Sequence, residues 1–216
     1  SLFARINYVL NDKFLFSGTI RRDASSKFAP DFRVGYFPSG SVGWKISNED
    51  FWNPASAFST IKIRLGYGEL GSQNIPDYAY QAVFNLNSST SVNDAIVQGY
   101  AQTSLALENL QWETASTLNF GADFGFWRDK LTFSVEVYNK SVQDVLVGVA
   151  LPASIGISEP VIQNVGEINI SGIEVEGLYR NSENDFKWNL GFNFSTFNSQ
   201  IVSLPNPVIG PSVSED

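Results

Sequence analysis

Apolar and polar residues alternate with period two in eight separate segments, and this repetition constrains the fold more than any other feature of the chain. A period of two sends successive side chains to opposite faces of a strand, so each segment reads as a strand with one apolar and one polar face. Leu2, Ala4, Ile6, Tyr8 and Leu10 oppose Arg5 and Asn7, and after a polar turn at residues 11–13 the chain returns through Phe14, Phe16, Gly18 and Ile20. A polar loop over residues 23–35 precedes a third segment, in which Tyr36, Pro38, Val42 and Trp44 oppose Ser39, Ser41 and Lys45. Proline cannot donate to a ladder, so Pro38 is expected near a strand end or at a bulge.

The pattern continues past a connector at Asn53 and Pro54. Ile61, Ile63, Leu65 and Tyr67 oppose Lys62, Arg64, Gly66 and Gly68, and residues 71–111 then read as one long irregular region. Leu118, Phe120, Ala122, Phe124 and Phe126 form the next apolar face, residues 127–130 a tight turn, and Leu131, Phe133, Val135 and Val137 the cleanest strand. A loop at residues 152–160 leads to Ile173, Val175 and Tyr179, and a turn near Asn181 leads to Trp188, Leu190, Phe192 and Phe194. Residues 204–216 read as loop.

Short turns near Asn11, Asn53, Trp127 and Asn181 interleave with longer polar loops near Ala24, Asn74, Pro152 and the tail. Tight turns at one end and long loops at the other are the signature of an outer-membrane β-barrel. Aromatics at Phe14, Tyr36, Trp44, Trp112 and Trp188 fall near strand ends, where an interfacial girdle would place them. Lipid cannot satisfy an open sheet edge, which favours a closed barrel as the spanning form. A soluble antiparallel sandwich or barrel alternates in the same way and stays open as an alternative. The longest apolar run, residues 145–151, is well short of the roughly 18 residues of a spanning helix.

Residues 65–71, LGYGELG, carry glycines in GxGxxG spacing. A dinucleotide turn needs a helix opening within it and an acidic residue about 20 positions on. Here SQNIPDYAY follows, with Pro76 where a helix would run, so Gly66 and Gly68 are read as polar-face positions of the fourth strand and Gly71 as its exit.

The chain has no cysteine and no histidine, which removes disulfides, thiolate nucleophiles, the usual zinc sites and any histidine-based triad. No cofactor and no metal is expected. A net charge of −8 argues against a nucleic-acid partner, because phosphate binding needs clustered Lys and Arg. The absence of methionine, even at position 1, and an opening that reads as mid-strand suggest a piece of a longer protein.

Several stretches resemble the SusC/RagA type of TonB-dependent outer-membrane transporters of Bacteroidota. They are ARINYVLNDKFLFSGTIRRDASSKF from Ala4, YFPSGSVGWKIS from Tyr36, IKIRLGYGELGSQNIPDYAY from Ile61, NLQWETASTLNFGADFGF from Asn109, LTFSVEVYNKSVQDVL from Leu131 and NVGEINISGIEVEG from Asn164. They follow one another in family order over most of the chain. The resemblance implies an all-β fold, an antiparallel transmembrane β-barrel segment with about eight strands of a 22-stranded, plugged barrel. It also implies a Gram-negative outer-membrane location and uptake of oligosaccharides or peptides. The implied partners are a SusD-like surface lipoprotein, TonB through a plug region missing from this chain, and the lipid bilayer. Residues 1–203 are assigned to the partial barrel and 204–216 to a loop or truncated tail, with plug and closing strands absent. Eight strands also suit a small self-contained outer-membrane barrel acting as anchor or adhesin, which is the competing reading.

The polar-face charges Arg5, Lys62, Arg64, Asp123, Glu136, Glu174 and Glu176 are candidates to line a lumen or grip a plug through charged hydrogen bonds. Glu174 and Glu176 have the look of a carboxylate pair, but two glutamates on one strand face are explained as wall, and no enzyme is expected. Tyr78, Tyr80, Phe84 and Tyr100 in the long loop are candidates to stack on a ligand or pack against a partner, or equally to pin the loop to itself. Asn87, Ser88 and Ser89 match a glycosylation triplet and are read as composition.

Overall fold

The computed structural model describes residues 1–53, 57–92, 94–149, 151, 160–181 and 186–204. Pro54, most of the loop expected at 152–160, the turn after Asn181 and the tail beyond Leu204 lie outside the described residues. Ten strands form: β1 (Leu2–Leu10), β2 (Phe14–Ala24), β3 (Val34–Lys45), β4 (Phe58–Ser72), β5 (Phe84–Val92), β6 (Ala95–Gln102), β7 (Glu113–Phe126), β8 (Leu131–Val149), β9 (Val161–Asn181) and β10 (Trp188–Ser203). Eight of them make one antiparallel sheet in the order β1-β2-β3-β4-β7-β8-β9-β10, and β5 and β6 pair only with each other. Every neighbour in the large sheet is the next strand in sequence apart from this inserted hairpin, the simplest result of short connections between consecutive strands.

Register turns the alternation into two chemically distinct faces. One cross-strand row reads Leu10, Phe14, Trp44, Ile63, Ala122, Val135, Val175 and Phe194, apolar on all eight strands. The next row on that face carries Tyr8, Phe16, Val42, Leu65, Phe120, Val137 and Ile173, which are between 39% and 58% exposed. An apolar belt this continuous and this uncovered is unlike the surface of a soluble monomer. The opposite face carries rows such as Asn7, Ser17, Ser41, Gly66 and Asn119, with Ser17 and Ser41 hydroxyls 2.7 Å apart.

The turns at one end use left-handed backbone. Asn11 and Asp12 have φ of 51° and 54°, a conformation that Asn and Asp tolerate best among side-chain-bearing residues. Trp127, Arg128 and Asp129 also sit at positive φ, and the Asp129 carboxylate accepts hydrogen bonds from Ser59 (2.7 Å) and Thr60 (3.1 Å), tying the β7–β8 turn to the start of β4.

Several expectations need correction. Residues 71–111 are not wholly irregular: β4 continues to Ser72, and the β5–β6 hairpin occupies 84–102. β5 is mostly Asn, Ser and Thr, and β6 spreads Ile96, Val97 and Tyr100 over both faces, so neither shows the single apolar face by which the other strands announce themselves. Gly71 therefore lies inside β4, where the Phe37 ring covers it so closely that a Cβ would collide. Pro38 pairs with Ile20 in mid-strand, but it stands one residue outside the β3–β4 ladder, which starts at Ser39, so the missing donor falls where pairing on one side stops. β8, β9 and β10 run well beyond their alternating cores. The sheet is open, with β1 and β10 at opposite edges, so these strands are not a self-contained eight-stranded barrel.

The described buried apolar residues, Phe28, Ala29, Phe37, Ile75, Leu110 and Val161, all lie at the long-loop end. Phe28, Ile75 and Leu110 form a small core against which Phe32, Ala79, Leu107, Trp112, Leu146 and Ile162 pack. Trp112 packs between Phe28 (tilted, centroids 5.1 Å apart) and Phe37 (edge-on, 5.6 Å), so it belongs to this rim cluster rather than to an outward girdle. Phe14 and Trp44, parallel at 6.2 Å, lie on the apolar face beside the short turns.

Candidate functional site

The polar face contains one charged lattice, built across β4, β7 and β8. Arg64 is its hub. Its Nη2 donates to Asp123 Oδ1 (3.1 Å) and Ser134 Oγ (3.4 Å), and its Nη1 lies 3.2 Å from Glu136 Oε2. Its Nε is 3.0 Å from Asp123 Oδ2 but not aligned as a hydrogen-bond donor, so that contact is an ion pair only. Lys62 reaches Asp123 at 3.3 Å, Ser134 donates to Asp123 at 2.8 Å, and Asn119 donates to Glu136 at 2.6 Å. Gly121, between Arg64 and Glu136 in register, makes the span possible: a Cβ there would meet Arg64 Nη2 at 2.9 Å.

All seven charged residues singled out in the sequence occupy this one face, because each lies in register with another polar-face position. The structure brings four of them together, Lys62, Arg64, Asp123 and Glu136. Arg5 stands apart on β1, where its Nε donates to Thr19 Oγ1 at 3.1 Å. Glu174 and Glu176 continue the rows of Glu136 and Ser134 onto β9 and have no ion-pair partner among the described residues. With Arg64, Ser134, Asn193 and Ser195 they border a depression of about 640 Å³. Two matched cations and two matched anions thus lie next to two glutamates that have no ion-pair partner among the described residues.

The four loop aromatics separate by environment. Tyr80 is half-buried, its backbone carbonyl accepts from Leu107 N (3.2 Å) and its hydroxyl from Gln81 Nε2 (2.9 Å), so it pins the loop. Tyr78 is exposed at φ 62°. Phe84 and Tyr100 belong to β5 and β6 and point into open space, Tyr100 being 79% exposed. None of the four joins the charged lattice.

Sequence reasoning missed the side chains that build the rim. Asn164 Nδ2 donates to Gln111 O and Asp144 O, both at 2.9 Å, while its Oδ1 accepts from Gln111 N at 3.0 Å. It thereby fastens the end of the long loop to the bulge in β8, where Asp144 has φ 55° and the β8–β9 register shifts. Glu113 Oε2 accepts from Leu146 N at 3.3 Å across the same junction. Phe28 and Phe32, within the otherwise polar stretch DASSKFAPDF, are a sequence signal of this core.

At the short-turn end, Trp44 Nε1 donates to Glu49 Oε1 (2.9 Å) and Lys13 Nζ to Glu49 Oε2 (3.0 Å) and Asp50 Oδ2 (3.3 Å). The Trp44 bond first, and the Lys13 bond second, hold the Glu49 carboxyl below the ordinary carboxylate value; Glu49 and then Asp50 raise the Lys13 ammonium above its own.

The TonB dependent receptor-like, beta-barrel family matches over residues 1–209. The chain belongs to that family. It is 36% identical to TonB-dependent receptor P3 of Formosa agariphila over 95% of this chain and 20% of that protein. It is 35% identical to TonB-dependent receptor SusC of Bacteroides thetaiotaomicron over 94% of this chain and 21% of that protein. The fold superimposes on the RagAB peptide importer in its closed-closed state with a TM-score of 0.81, at 26% identity, covering 94% of this chain and 22% of that one. The chain thus spans about a fifth of the length of its relatives. The open eight-stranded sheet is a fragment of a TonB-dependent receptor barrel.

Proposed function

We propose that this chain is a wall segment of a SusC-like TonB-dependent importer in the outer membrane of a Gram-negative bacterium. The observation that carries the reading is the two-faced sheet: a continuous exposed apolar belt on one side and a charged face on the other, in a chain of this family. On β7 the belt runs from Leu118 to Phe126, roughly 20 Å tall for a strand tilted by about 40°, which suits an outer-membrane apolar band. Lipid would cover the belt, and the face carrying Arg5, Lys62, Arg64, Asp123, Glu136, Glu174 and Glu176 would turn to the lumen. Residues 1–203 form the wall in this reading, and plug and closing strands come from outside this chain.

The cargo is an oligosaccharide or a peptide, delivered with a SusD-like lipoprotein, with energy from TonB through the plug. The likeness to a peptide importer supports the peptide arm, and the likeness to SusC supports the pairing with a surface lipoprotein. Tyr78, Phe84 and Tyr100 are the exposed aromatics available to cargo or partner, whereas Tyr80 serves the loop.

Two measurements test this. The full-length protein should fractionate with the outer membrane and migrate heat-modifiably; recovery as a soluble monomer without detergent overturns the membrane reading. Deleting its gene should abolish growth on one oligosaccharide or peptide source, and so should deleting TonB; normal growth of the deletion strain across both nutrient classes overturns the importer reading.

A further inference from the structure

The β5–β6 hairpin is attached to the rest of the molecule in two chemically different ways along its length. At its root, Ile75 and Leu110 are buried with Phe28, and Ala79 and Leu107 pack against them. The two legs are joined there by the Leu107 N to Tyr80 O bond. Nearer the strands a second set of ties joins the legs: Thr103 N to Val83 O (2.8 Å), Thr103 Oγ1 to Val83 O (3.1 Å) and Val83 N to Ser104 Oγ (3.1 Å). Between the two sets lie residues 81–82 and 105–106, which no ladder crosses. Beyond them neither β5 nor β6 forms a ladder with the large sheet, and Phe84, Ile96, Val97 and Tyr100 are all exposed.

We propose that the hairpin is a rigid arm clamped at its root by the rim cluster and swinging about residues 81–82 and 105–106. The argument is one of local stability. The root has buried apolar contacts, so its opening costs what a small core costs; the head has ladder bonds within itself and its described apolar side chains are exposed, so it moves as one body at little cost. Tyr78, left-handed just before the neck, fixes the direction in which the legs leave the clamp. The inference concerns motion alone and stands whether or not the chain belongs to an importer.

Distances between paired spin labels in the full-length protein test it, and this chain contributes no native cysteine to confuse the labelling. Ser91→Cys reports the head, Glu108→Cys the root, and Ser171→Cys the sheet. The Ser91/Ser171 distribution should be roughly twofold broader than the Glu108/Ser171 distribution. Equal widths overturn the arm. Phe28→Ala, and the milder Leu107→Ala, should broaden the root distribution towards that of the head; a root that stays narrow in both variants overturns the clamp.

Discussion

Phe28 and Phe120 show how differently two parts of this chain treat the same side chain. Phe28, in the loop between β2 and β3, is fully buried against Trp112, Ile75 and Leu110, whereas Phe120, in the middle of β7, is 48% exposed among equally exposed neighbours. The rim makes its own apolar interior from the β2–β3, β4–β5 and β6–β7 loops and the ends of β8 and β9, in the manner of a small soluble domain. The wall makes none: its belt is apolar on the outside and must be covered by something other than this chain. Stability of the wall therefore rests on the ladder and on its surroundings, while the rim rests on packing.

The comparison is broken most strongly from the rim side. Truncating Phe28 to alanine removes the one fully buried large side chain described and should cost about 3–5 kcal/mol of local stability. Proteolysis within residues 73–112 should accelerate, and heat-modifiable migration of the full-length protein should persist. Loss of both together would mean that rim and wall are one cooperative unit.

From the wall side, neighbouring residues of β8 give an internal control. Val135 lies in the all-apolar row and Thr132 on the polar face. Arginine at Val135 should cost about 2–4 kcal/mol in lipid, and arginine at Thr132 less than about 1 kcal/mol. Denaturant unfolding of the full-length protein in bilayers reads the difference; similar costs at the two positions would refute the assignment of faces.

A smaller effect is expected within the charged lattice. Arg64→Met leaves Asp123 with Lys62 and Ser134, and Glu136 with Asn119. The groups are about a quarter to a third exposed, so the loss should be about 1 kcal/mol and should shrink in high salt. A salt-independent loss would point to packing over Gly121 instead of charge.

Legibility in the sequence followed this same division. The eight strands of the wall, the turn at residues 127–130 and the shared face of all seven charges could be read because each depends only on local alternation. The rim could not, since Phe28, Phe37, Ile75, Leu110 and Trp112 come from segments with no common period and meet only after the strands have paired. The charged face was visible as a list, but which members touch was set by register: Arg64 reaches Glu136 because Gly121 stands between them, whereas Glu174, one strand farther on, remains outside. The hairpin escaped because β5 is mostly Asn, Ser and Thr and β6 has apolar residues on both faces, so neither carries a clean alternation signal.

The smallest expected effect belongs to the short-turn end, where the contacts are polar and tie a turn to a connector, with Lys13 and Glu49 part-buried and Asp50 exposed. The Glu49 carboxyl titrates below its unfolded value of about 4.3, so the unfolded chain binds more protons in that window and stability falls as pH drops through the folded value. Lys13 titrates above its unfolded value of about 10.4, so its contribution is complete below that and is lost as pH rises through the folded value. The buckle joining the β1–β2 turn to the β3–β4 connector should therefore be fully formed between about pH 5 and pH 10 and loosen on either side. Glu49→Gln should flatten the acid limb of the unfolding midpoint against pH, and Lys13→Met the alkaline limb, with the rim's protease protection unchanged in both. An acid limb that survives Glu49→Gln unaltered would show that the Trp44 and Lys13 bonds to this carboxylate do not contribute to holding the turn end of the wall.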